Sequence, residues 1–78
     1  MEVIRTDIRD LISGLNWHER MKVLRAAKGW TQKEAANECG TNQKMYWLWE
    51  NGQTFPRENS KKAIARAFEV GDEEIFGE

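Results

Sequence analysis

Two helix starts and two helix stops follow one another between Thr31 and Gly52, and this punctuation narrows the accessible folds more than any other feature of the chain. Thr31 and Glu34 form a T-x-x-E capping box, in which the threonine oxygen accepts from a backbone N–H three residues on and the glutamate reaches back to the cap. A helix therefore begins just after Thr31, with Ala35, Ala36 and Cys39 as its small apolar face. Gly40 ends it, because glycine adopts left-handed backbone angles without a steric penalty. Asn42 is a second N-cap, and the helix it opens runs through Glu50 before Asn51 and Gly52 close it.

Two helices of about two turns each, joined by a glycine turn of about three or four residues, make a helix-turn-helix that can set its second helix into the DNA major groove. The surrounding residues resemble the Cro and lambda-repressor class of such domains, the Xre-like family, from about Trp17 to Phe76. The resemblance rests on Arg25, Thr31-Gln32, Ala36, Gly40, Asn42-Gln43, Trp49-Glu50-Asn51-Gly52, Pro56 and Ile64-Ala65. It implies an all-α, compact five-helix lambda-repressor-like helix-turn-helix domain, with a recognition helix over residues 43–50. It also implies that Arg25 and Glu50 pair between the first helix and the recognition helix, as a structural brace and not as catalytic groups.

Elsewhere the helical signals are simpler. Asn16 caps a helix with Glu19 at its third position, and Trp17, Met21, Leu24 and Ala27 recur at helical spacing until Gly29. A later helix is expected to begin near Asn59 or Ser60 and to bury Ala63, Ile64, Ala67 and Phe68. Asp72 is expected to cap a short last helix ending at Ile75-Phe76. Residues 1–15 lie outside the resemblance. Their Ile4, Ile8, Leu11, Ile12 and Leu15 sit at helix-like spacing between a Thr6 cap and a Gly14 stop, which predicts an extra N-terminal helical segment. That extension would pack on the domain of residues 16–78 or on a second protomer.

A formal charge of −1 over 78 residues is unpromising for a polyanion partner until it is divided along the chain. Residues 17–66 carry ten Lys and Arg against five Glu, a local +5, whereas residues 67–78 carry five acids and no base. DNA binding needs cations facing phosphates, not a basic whole chain. One Cys and one His exclude an internal disulfide and a structural zinc site within one chain. Cys39 is read as a small buried residue. No apolar run approaches the roughly 20 residues of a membrane span, and the N-terminus has no signal-peptide pattern. The expected location is the cytoplasm, and the nucleoid when bound to DNA.

The chemistry of recognition depends on the start of the helix over 43–50. Gln can pair bidentately with adenine N6 and N7, and Lys can reach guanine O6 or N7. Gln43, the first exposed residue after the Asn42 cap, is the leading base reader, and Lys44 is placed for a base or a phosphate. Tyr46 and Trp49 are expected in the core. Met45, Trp47 and Leu48 depart from the resemblance, which has polar residues at these outward positions. They are placed either for thymine methyl groups or for a protein partner. Gln32, at a helix N-terminus, suits a phosphate, and the resemblance implies that it also braces the first recognition residue. Asn51 and Arg57 flank a loop resembling one that lies along the DNA backbone, although Arg57 serves equally well as a solvating surface charge.

Catalytic readings find little support. His18, the single histidine, reads as a surface residue, and the chain lacks a phosphate loop, a nucleophile motif and a metal-ligand cluster. No enzyme activity and no cofactor are expected. Two binding functions remain open. One is a homodimeric regulator, a repressor foremost, on a near-palindromic operator of double-stranded DNA. The other is an antitoxin- or antirepressor-like protein that uses the fold chiefly to hold a protein partner. Pairing is expected through the C-terminal part, where Phe55, Ile75 and Phe76 lie outside the clearest core pattern, with the N-terminal helix as the rival surface.

Overall fold

Side-chain caps open three successive helices of the computed structural model, which describes residues 12–77. These are α1 (Trp17–Lys28), α2 (Gln32–Glu38) and α3 (Gln43–Glu50), followed by α4 (Glu58–Phe68) and α5 (Asp72–Phe76). The described residues contain no strand. Asn16 Oδ1 accepts from the Glu19 N–H at 3.1 Å while Glu19 accepts from the Asn16 N–H at 3.3 Å. Thr31 and Glu34 repeat the arrangement at 3.1 and 2.8 Å. Asn42 Oδ1 accepts from the Met45 N–H at 2.7 Å. Each cap satisfies donors that the first turn of a helix would otherwise leave unpaired.

The turn between α2 and α3 closes by two backbone bonds, Gly40 N–H to the Asn37 carbonyl at 3.1 Å and Thr41 N–H to the Ala36 carbonyl at 2.9 Å. This Schellman closure needs a left-handed residue, and Gly40 supplies it at φ 73°. The same pair of bonds ends α4, but there the left-handed position is Glu69, at φ 61°. Its carboxylate pairs with Lys28 at the end of α1, so the strained residue also ties two helices.

Four expectations about helix limits and faces are corrected. First, α4 starts at Glu58, directly behind Arg57, with no side-chain cap. The buried Pro56 fixes the backbone entering the helix. Second, its buried stripe is Ile64, Ala65 and Phe68, with Ala63 and Ala67 only half-buried. Third, Gly71 and not Asp72 occupies the cap of α5. Glu74 reaches back to accept from the Gly71 N–H at 2.7 Å, so Asp72 falls in the first turn, where its charge suits the helix dipole. Ala27, expected on the apolar face of α1, is exposed.

The core gathers Met21 and Leu24 from α1, Ala35 and Ala36 from α2, Tyr46 and Trp49 from α3, Ile64 and Phe68 from α4, and Ile75 from α5. Ile75 is fully buried within one chain, which removes it from the surface expected to pair with a second copy. Residues 1–11 of the predicted N-terminal helix lie outside the described residues. At its end, Ile12 is buried and Leu15 packs against the core.

Arg20, which belongs to no sequence motif, joins the two ends of the described chain. Its Nε donates to the Ile12 carbonyl at 2.9 Å and its Nη2 to that of Ser13 at 3.1 Å. Its Nη1 donates to the carbonyls of Ile75 and Gly77 at 3.0 and 2.9 Å. The guanidinium thus satisfies the open C-terminal carbonyls of α5, where a cation is also favoured by the dipole. Charge-assisted bonds of this kind are worth about 1.5–3 kcal/mol net of the exchange with water, and several from one guanidinium do not add. Arg20→Ala is expected to lower the unfolding free energy by about 2–3 kcal/mol in urea titrations. Arg20→Lys should recover little of it, because an ammonium lacks the planar fork.

Candidate nucleic-acid interface

One buried carboxylate positions α3. Glu50, 6% exposed, is the sole buried charged residue among those described. Arg25 from α1 meets it with two parallel bonds, Nε to Oε2 at 2.8 Å and Nη2 to Oε1 at 2.9 Å. A third guanidinium donor reaches the Trp30 carbonyl at 2.9 Å, in the link to α2. The Gln32 amide, from the first residue of α2, donates to Glu50 Oε1 at 3.2 Å. Burial pushes the Glu50 carboxyl upward, but the hydrogen bonds from Arg25 and Gln32 more than offset this and hold it below its ordinary value of 4.5. The bond to Glu50 raises Arg25 in turn, against the effect of its burial. The brace expected from the resemblance is therefore present, with Gln32 as a third member that binds Glu50 and not Gln43.

The brace turns one face of α3 outward. Gln43 and Lys44 are exposed, and neither bonds to another described residue through its side chain. Trp47 is 46% exposed, and Leu48 is half-buried beside it. Asn42 spends its oxygen on the cap, which leaves its amide N–H groups free. Asn51 turns its amide back to the Trp47 carbonyl at 2.9 Å, so only its oxygen faces outward from that bond. Arg57 is exposed and unpaired among the described residues. Gln43, Lys44, Trp47 and Asn51 thus share one outward arc, as spacing by three and four residues requires.

Met45 does not belong to that arc. It lies four residues before the buried Trp49, on the inward side, and packs against the core. Tyr46 is fully buried, and its hydroxyl has no hydrogen-bond partner of good geometry among the described residues. Burial first, then the Glu50 charge, raise its pKa and keep it neutral. Cys39 is 5% exposed, and burial pushes its thiol up to about 12, far from the thiolate that nucleophilic chemistry needs. No group of His, Cys, Asp and Glu among the described residues is arranged to hold a metal ion. None of their helices is long and apolar enough to cross a membrane.

His18 was expected at the surface, but it is half-buried and supports the loop after α3. Its ring meets Trp17 edge-on at 5.3 Å between centroids. A Cβ placed on Gly52 would come within 2.9 Å of the same ring. Gly52 also sits at φ 70°, so both its backbone angle and its neighbour demand glycine. Only the fold reveals this contact, since the two residues are remote in sequence.

A family model described as "Helix-turn-helix domain" matches residues 19–75. The match includes every member of the brace and the whole outward arc of α3. No curated protein and no solved structure matches the chain.

Arg25→Ala strands a carboxylate with 2% side-chain exposure, and Glu50→Ala strands a guanidinium with 19%. Each should cost about 3 kcal/mol in denaturant titrations, with the arginine variant worse, and the double variant should cost clearly less than the sum. Strict additivity would show that the pair does not interact. Because the folded-state pKa of Glu50 is depressed, its stabilisation is complete above the ordinary 4.5 and is lost as the pH falls through the lower folded value. Glu50→Gln should flatten that acid limb of the stability curve.

Proposed function

The chain belongs to the helix-turn-helix domain family, and we propose that it is a sequence-specific transcriptional regulator, acting as a repressor, that sets α3 into the major groove of double-stranded DNA. The match supports the resemblance to Cro and lambda-repressor-type domains. The observation that carries the reading is the outward arc of a braced α3, on which Gln43 and Lys44 have no partner among the described residues and no carboxylate is exposed. Long polar side chains held without internal partners on a fixed helix suit base edges and phosphates.

In this reading Gln43 pairs with an adenine, and Lys44 contacts a neighbouring base or phosphate. Arg57 and the free amide of Asn42 face the backbone. The N-terminus of α2 approaches a phosphate, with Gln32 held in place by Glu50. Asn51 contributes its oxygen, and Leu48 lies at the margin of the contact. No step requires a cofactor.

A single α3 reads one half-site, which rarely gives sufficient affinity alone. The protein therefore acts as a homodimer on a near-palindromic operator. The exposed aromatic patch is the surface assigned to pairing. There Phe55, 53% exposed, meets Trp17 and Phe76 edge-on at 5.0 and 5.7 Å. Residues 1–15 are the alternative surface. The same patch is what would favour a protein partner over a second copy.

Gln43→Ala should weaken binding to a selected operator by about 1–3 kcal/mol and relax preference at one base pair per half-site. Affinities on singly substituted operators test this, and unchanged discrimination at every position would remove Gln43 from readout. Footprinting with sedimentation should find two protomers on half-sites centred about 10–11 bp apart. One protomer protecting a single half-site at full affinity would defeat the dimer.

A further inference from the structure

We propose that Trp47 reads thymine, by packing its indole on the C5-methyl group that thymine presents in the major groove. The inference rests on the DNA-binding reading and adds the base class that α3 selects beyond the Gln43 contact.

Trp47 stands apart from the other rings of the molecule. Its neighbours on α3, Tyr46 and Trp49, are 0% and 4% exposed, whereas Trp47 is 46% exposed. Phe55, the other large exposed apolar residue, has Trp17 and Phe76 against its ring and Lys61 over its face. Trp47 has no ring or cation against it among the described residues. Its backbone is nevertheless fixed, since its carbonyl accepts from both the N–H of Asn51 and the Asn51 amide, at 3.0 and 2.9 Å. A rigidly mounted apolar ring is thus left in water, where burial on binding is favourable.

The surroundings of the ring identify the occupant. Trp47 lies one turn after Gln43 and one turn before Asn51, with Lys44 three residues back. Every exposed neighbour on this arc is polar or cationic, and the one acid of α3, Glu50, is buried beneath it. A hydrophobic protein partner would have to desolvate Lys44 and Gln43 beside the indole. The major groove offers an apolar methyl group set among hydrogen-bonding base edges and phosphates, which matches the sequence of groups along α3. Four residues advance about 6 Å along the helix axis, on the order of two base-pair steps of about 3.4 Å. The thymine should therefore lie within about two base pairs of the adenine read by Gln43.

The test uses a duplex selected from random sequence by the full chain, with each thymine replaced singly by deoxyuridine, which removes only the methyl group. Affinities are measured for the unsubstituted protein, Trp47→Ala and Trp47→Phe, and thermal melts check folding. One replacement per half-site should weaken the unsubstituted protein by about three- to tenfold, in line with the loss of one buried methyl. Trp47→Ala should melt normally, bind more weakly and lose the uridine penalty while keeping its preference at the Gln43 position. Trp47→Phe should keep the penalty in part. A penalty that persists in Trp47→Ala, or no thymine methyl that matters, overturns the proposal while leaving DNA binding intact. DNA affinity unaffected by Trp47→Ala overturns it in favour of a protein-facing role. If no duplex is selected at all, the DNA-binding reading fails and this inference fails with it.

Discussion

The Arg25–Glu50 pair is the interaction on which the arrangement of the helix-turn-helix depends. One guanidinium spans α1, the link before α2, and α3, and one amide from α2 completes the contact. An apolar contact of the same area would bind the helices as well, and the desolvation of two charges offsets much of the Coulomb attraction. What a forked ion pair adds is direction. Its parallel bonds are made in one relative orientation of the helices, whereas apolar surfaces tolerate sliding and rotation. In the proposed reading, α3 contacts bases only if its exposed arc faces the groove, so orientation matters more than net stability. The buried neutral Tyr46 lies close enough to the pair to feel the charges of both Glu50 and Arg25.

The caps explain why so much of this architecture was legible in the sequence. Asn16 with Glu19, Thr31 with Glu34, and Asn42 are local devices whose hydrogen bonds depend on spacing alone, and each appears at its expected position. Gly40 and the Arg25–Glu50 brace were legible for related reasons, the first from local backbone geometry and the second from the family resemblance. The misses have the opposite character. Arg20 bonds carbonyls from both ends of the described chain, and His18 lies under Gly52. Neither relation leaves a local spacing to detect. The resemblance places Met45 outward, whereas the side chain packs against the core four residues before Trp49. Glu69 carries no sequence signal of its role, because a left-handed helix end is normally marked by glycine, and here a glutamate takes that conformation while pairing with Lys28.

The charge distribution bears on how the proposed regulator would hold DNA. The acidic helix α5 packs against α1 and α4, whereas α3 packs chiefly on α2. The negative total therefore reflects a segment that packs chiefly on helices other than α3. Even so, α3 and the loop behind it contribute only two exposed cations, Lys44 and Arg57. Affinity that comes from neutralising phosphates grows with the number of such cations and falls steeply with salt. A surface with so few of them holds random DNA weakly. Selectivity must then come from contacts that are made only at the correct bases, such as a paired amide and a buried methyl group, which are far less sensitive to salt. A braced helix suits that division. With little non-specific attraction to keep the protein in place, the correct site gains only from groups already held in the geometry of contact, and the buried carboxylate of Glu50 supplies that order before DNA arrives.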